Sequence, residues 1–214
     1  TYNGKSFYYS DSSVADDNAV FISSFQMPDD TESTNVDWFK KYFDINASKS
    51  AKNAGETLTV TATPKADSPF SGTAINVTLT VQARPFDASE FNLALATGIS
   101  YQYTGSQISV PVSNLTLKED AETLSGTDLS VAIKSAKTVK SAVGTSNVEV
   151  TLDTTKMPNF DFTGIKDPVT MTTSDAIDVA KVTIEKRDLK NNCNVSITHG
   201  RVQKNTSITN FVNK

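Results

Sequence analysis

The chain has 214 residues, 37% of them apolar and 21% charged, with a net charge of −4 and an isoelectric point near 5.0. That balance excludes nucleic acid as the main partner, because phosphate binding needs a concentrated basic face. No apolar stretch approaches the roughly 20 residues a helix needs to span a bilayer, and the single cysteine, Cys193, excludes an intrachain disulfide framework.

The N-terminal stretch opens with an Asn3-Gly4 turn signal beside aromatic residues. Residues 10–19 and 28–35 are loops rich in Asp, Ser and Thr, and a short strand is expected between them over 20–25. The acidic pairs Asp16-Asp17 and Asp29-Asp30 are candidate Ca²⁺ ligands, since calcium takes clustered oxygen donors. The competing reading, solvated loops, is favoured because such sites need six or more converging oxygens. Residues 35–45 form the densest aromatic stretch. Trp38, Phe39, Tyr42 and Phe43 fall at helical spacing, but an internal repeat sets the stretch opposite 126–133, which alternates as a strand. The repeat favours a strand with a local irregularity. Trp38 and Tyr42 are candidates for a platform on which a carbohydrate would stack, with core packing as the alternative.

Residues 53–81 carry two alternating runs, Leu58, Val60, Ala62 and then Ile75, Val77, Leu79, Val81, around a linker with Pro64, Pro69 and Gly72. They predict two half-buried strands, with Leu58, Val60, Val77 and Leu79 sharing a core with Phe25 or Phe43. About ninety residues on the pattern returns: Val148, Val150, Leu152, a linker at Pro158, then Val169 and Met171, with Phe162-Thr163-Gly164 falling where Phe70-Ser71-Gly72 stood. The repeat predicts an all-β chain of tandem units, over residues 1–85 (first strand missing) and 86–173, followed by 174–214 as an incomplete third repeat or donated C-terminal strands. The second core is expected to hold Val131, Val148, Val150, Val169 and Met171. The third repeat is expected to start near residue 175, its Val182 and Ile184 matching Phe91 and Leu93.

The segments Tyr103-Thr104-Gly105, Leu124-Ser125-Gly126-Thr127-Asp128, Val143-Gly144 and Phe162-Thr163-Gly164 come in an order that resembles the tandem bacterial Ig-like repeats of large surface proteins, of the YTG and GTDY type. The resemblance covers most of 86–173 and, more loosely, 1–85. It implies tandem Ig-like β-sandwich domains and an extracellular place, on a cell surface or a virion, as stalk, surface array, filament or decoration.

Catalysis has little to stand on. His199 is the single histidine, so any Ser-His-Asp or Cys-His mechanism would pass through it, and no third group can be argued to orient it. One Cys and one His do not make a zinc site, and phosphate-loop and dinucleotide motifs are lacking. No catalytic residue and no cofactor beyond Ca²⁺ is therefore expected. The leading expectation is a non-enzymatic structural protein. The alternative is an adhesin that binds a glycan or protein ligand through Trp38, Tyr42 and the acidic loops. Residues 1–46 hold eight acids and three bases, net −5, and residues 174–214 hold four acids and seven bases, net +3. Opposite signs at the two ends predict head-to-tail self-association, unless neighbouring repeats of the same polypeptide fill that place.

Overall fold

The computed structural model describes residues 1–11, 16–27, 29, 31–173 and 181–188, and there the chain is mostly strand, in several sheets, with one α-helix. Strands β1 (Tyr8–Tyr9), β2 (Ala19–Val20), β3 (Phe25–Gln26) and β4 (Glu32–Ser33) are short; helix α1 (Val36–Tyr42) and the longer strands β5 (Phe43–Ala47), β6 (Thr57–Pro64) and β7 (Ile75–Thr80) follow. The later strands are β8 (Arg84–Pro85), β9 (Phe91–Leu95), β10 (Ser100–Gln102), β11 (Leu115–Glu119), β12 (Ile133–Thr138), β13 (Gly144–Leu152), β14 (Phe160–Asp161), β15 (Thr170–Thr172) and β16 (Lys181–Glu185).

In the first part, β5, β6 and β7 form an antiparallel sheet in that order. Its register sets Ile45 opposite Ala62, Ala47 opposite Val60, Leu58 opposite Leu79, Val60 opposite Val77 and Ala62 opposite Ile75. Directly opposed residues share a face, so all these apolar side chains lie on one side. The turn into β6 is built by Glu56, whose carboxylate accepts the backbone N–H groups of Lys52 at 2.6 Å and Asn53 at 3.0 Å.

In the second part, β9 pairs antiparallel with β11, while β10, β16, β13 and β12 form a larger sheet to which β15 adds on β13. The alternation of β13 holds throughout: Val148, Val150 and Leu152 point inward. One continuous buried cluster joins Phe91, Leu95, Leu115 and Leu117 of the smaller sheet to residues of the larger one, among them Val150, Met171 and Val182. Tyr2, Ala51, Leu58 and Val81 of the first part belong to the same cluster.

The all-β expectation holds at this coarse level, and four finer expectations change. Residues 36–42 are helical rather than strand, because Asn35 caps the first turn, its Oδ1 accepting the Trp38 N–H at 3.0 Å, and the helical aromatic spacing prevails. The equivalent stretch of the second part is also not a strand: a 3₁₀ turn over Ser130–Ala132 shifts the phase, which turns Val131 outward at 78% exposure and buries Ala132 and Ile133 instead. Leu58 and Val60 are buried as expected, but their partners Leu79 and Val77 stay exposed. Finally, residues 181–185, read in sequence as opening a third repeat, are bonded between β10 and β13 with Val182 and Ile184 fully buried. They are the counterpart of residues 78–82: the Tyr103 N–H donates to the Glu185 carbonyl at 2.9 Å as the Tyr2 N–H donates to Gln82 at 2.8 Å.

Candidate functional site

The most distinctive surface is a groove of about 460 Å³ in the first part. One wall is the apolar face of the sheet, with Val60, Ala62, Ile75 and Val77; the other is residues 20–26, with Val20, Phe21, Ile22 and Phe25. Strand β7 should be half-buried by its alternation, yet all six of its residues are exposed, including Ile75 at 53%, Val77 at 56% and Leu79 at 43%. The cause is lack of cover: among the described residues, the opposite layer is made of two-residue strands and irregular chain. Among the described residues, no backbone hydrogen bond joins residues 21–24 to another segment. Thus an apolar sheet face and a stretch of open backbone confront each other across an unfilled space.

The corresponding place in the second part is filled. There β9 hydrogen-bonds along β11 over five residue pairs and inserts Phe91 and Leu95 into the core.

Trp38 and Tyr42 do come together, on the same face of α1, with ring centroids 5.0 Å apart at 64°. The Trp38 ring is stacked on Phe25 at 5.4 Å and 9°, and Phe70 meets its edge at 5.7 Å. Both are half-buried members of an aromatic cluster with Phe39 and Phe43 that closes the end of the groove, beside a smaller hollow of about 300 Å³. The rings chiefly contact one another, which is the core-packing arrangement.

The acidic candidates are not gathered. Asp16 accepts the Asn18 N–H at 2.8 Å and holds a turn; Asp17 is exposed in that turn. Asp29 accepts the Thr31 hydroxyl at 2.6 Å and its N–H at 3.2 Å. Asp30, Cys193 and His199 lie outside the described residues. Among the described residues, no three His, Cys, Asp or Glu side chains converge as a metal site would require. The Asp29 arrangement recurs at Asp87 with Ser89, Asp128 with Ser130, Asp153 with Thr155 and Asp161 with Thr163, each Oδ1 accepting the N–H and the hydroxyl of the residue two ahead. These bonds hold the carboxyls below the usual aspartate range. The lowered values thus mark turn chemistry, not an acid–base site.

Residues 1–85 read in sequence as a unit with its first strand missing, but the exposure of β7 was not legible, because its alternation is that of a half-buried strand. The site and fold together define a β-rich protein with an open apolar groove. Comparison with protein-family models, with curated proteins and with solved structures finds no match. No described helix is long and apolar enough to cross a membrane.

Proposed function

We propose that the chain is a non-enzymatic structural module that assembles with other polypeptide through its first unit, as part of a stalk, array or filament on a cell or virion surface. The observation that carries this reading is the uncovered face and edge of β7. Its sequence, Ile75-Asn76-Val77-Thr78-Leu79-Thr80, contains no charge and no proline, the devices by which edge strands are kept from pairing with other chains. By contrast β12, at the end of the larger sheet, is bonded along its outer side by residues 108–110: the Val110 N–H donates to the Ala136 carbonyl and the Thr138 N–H to the Ile108 carbonyl. Contiguous exposed apolar surface beside open backbone is characteristic of an interaction site. The surface location rests on the resemblance to bacterial Ig-like repeats, and tandem sandwich domains are the architecture that goes with it.

The adhesin reading is weaker, because Phe25, Tyr42 and Phe70 already occupy one face and the edges of the Trp38 ring that would stack on a sugar. Sedimentation velocity over a concentration series tests the assembly reading. The expected result is a weight-average mass that rises with concentration in the wild-type chain and much less in Val77→Asp. A chain that stays monomeric up to about 1 mM, a concentration at which even weak transient contacts are populated, would overturn it.

A further inference from the structure

We infer that Asn3 is a site of spontaneous side-chain deamidation, and that the contact between the two parts of the chain keeps it closed while the fold is intact. Asn3-Gly4 is the single Asn-Gly pair in the sequence. A glycine after asparagine leaves its backbone nitrogen least hindered, because it has no Cβ. In the reaction a base takes the Gly4 amide proton and the nitrogen attacks Cγ of Asn3. The Cγ–Nδ2 bond then breaks, ammonia leaves with a proton from water, and a succinimide ring remains. Water opens that ring at one carbonyl or the other, to aspartate or isoaspartate, so that in sum water is consumed and ammonia released.

Asn3 is half-buried, and its Oδ1 accepts the Lys5 N–H at 3.1 Å, which folds the side chain back over the Gly4 peptide as an Asx turn. That bond also lies on the oxygen that gains negative charge during the attack. Nucleophile and electrophile are therefore near each other, and what opposes the reaction is restraint on both sides. The Asn3 Nδ2 donates to Oδ1 of Asn18 at 2.5 Å, and Asn18 is buried, its own N–H donating to Asp16 at 2.8 Å. Gly4 is buried against residues 124–125, so closely that an added Cβ would lie 2.6 Å from the Ser125 backbone nitrogen. Just ahead of them Tyr2 is fully buried, with its N–H on the Gln82 carbonyl and its phenol on Glu119. Closing the succinimide draws the Gly4 nitrogen into bonding distance of Cγ and swings the peptide between these fixed neighbours. The reaction thus waits for the junction to open, and its rate follows the population of the open form.

The product does not fit the seat that the asparagine leaves. Aspartate sets a charge beside the buried Asn18, which costs free energy, in a segment, residues 1–46, that already holds eight acids against three lysines. Isoaspartate also lengthens the main chain by one carbon directly ahead of Gly4, where the backbone has no room to shift. Each opening that ends in reaction leaves a looser junction, so Asn3 acts as a one-way timer on the contact between the two parts. This holds whether or not the first unit assembles with other polypeptide.

The test follows conversion at Asn3 by peptide-mapping mass spectrometry of the full chain in mildly alkaline buffer, folded and in guanidinium chloride. The unfolded chain is expected to convert about tenfold faster or more. Tyr2→Phe keeps the Asn3-Gly4 pair but removes the bond to Glu119, and should speed conversion in the folded chain about fivefold or more while leaving the unfolded rate unchanged. Asn3→Asp, which carries the product side chain from the start, should melt below wild type. No conversion in the unfolded chain would overturn the site itself. Equal rates folded and unfolded, or a folded rate that Tyr2→Phe leaves unchanged, would overturn the junction as its restraint. An Asn3→Asp chain that melts with wild type would overturn the loosening.

Discussion

The phenol of Tyr2 donates a 2.8 Å hydrogen bond to Oε1 of Glu119, and both side chains are fully buried although 117 residues separate them. The other carboxylate oxygen accepts the Ser125 hydroxyl at 2.6 Å. The Tyr2 ring meets Phe160 edge-on at 5.6 Å. The N-terminal segment of the first unit is thereby anchored in the second. A buried carboxylate so held is costly to disturb, because removing a partner leaves part of its hydrogen-bonding capacity unmet. Tyr2→Phe keeps the ring and removes the bond, and should lower the free energy of unfolding by about 1–3 kcal/mol in a urea titration.

The same junction forbids a side chain at Gly4. Its φ is +77°, and an added Cβ would lie 2.6 Å from the Ser125 backbone nitrogen and 2.9 Å from the Leu124 carbonyl carbon. Backbone atoms cannot yield as a flexible side chain would. Gly4→Ala should therefore cost roughly 2 kcal/mol or more through conformational strain and overlap, whereas Gly98→Ala, with φ of +77° but open space around it, should cost less. Paired urea titrations measure the difference.

Stability should fall at both ends of the pH scale. At Glu119 burial would raise the carboxyl, but hydrogen bonds from Ser125, Tyr2 and Thr127 hold it below the usual glutamate value. A folded value below the unfolded one, about 4.3, means stability that is present above that pH and lost as pH falls through the folded value. Burial, with help from Glu119, raises the Tyr2 phenol, and burial together with the 3.0 Å bond to Asp11 pushes Tyr9 up to about 12. Their contribution is present below the unfolded value, about 10, and is lost as pH rises through the folded values. Glu119→Gln should remove Glu119's share of the acid limb, leaving the share of the turn aspartates and the alkaline limb of Tyr9 in place, as measured by unfolding free energy against pH.

Core and surface positions that look alike in sequence should separate sharply. Leu117 is fully buried, so Leu117→Ala should cost about 2–5 kcal/mol through lost burial and a cavity. Val131 is 78% exposed, and Val131→Ala should change stability by no more than about 0.5 kcal/mol. Chemical denaturation of the two variants checks this.

Trp38 is the single tryptophan, so its fluorescence reports on the first unit alone. Because its ring packs on Phe25, Tyr42 and Phe70, Trp38→Ala should destabilise the first unit by on the order of 2 kcal/mol, less than a fully buried aromatic. A lower melting temperature with the folded circular-dichroism spectrum retained below it is the expected result.

The alternation of apolar and polar residues determined by itself that Leu58, Val60, Val148, Val150 and Met171 would lie inside β-strands facing a core, since period two leaves only one face to bury. The spacing of the two copies likewise paired β6 with β13, and residues 35–45 with residues 126–133, as equivalents. The repeat read this second pair as strands, and the structure made one a helix and the other a 3₁₀ turn, because a single capping side chain, Asn35, and one turn decide the phase locally. Period two also says which residues share a face but not whether anything covers it. Val77 and Val150 carry the same signal in sequence; only the tertiary structure decided that Val150 meets the layer formed by β9 and β11, while Val77 faces an open groove. Burial of a strand face depends on what arrives from elsewhere in the chain or from another chain, and no pattern local to β7 encodes that arrival.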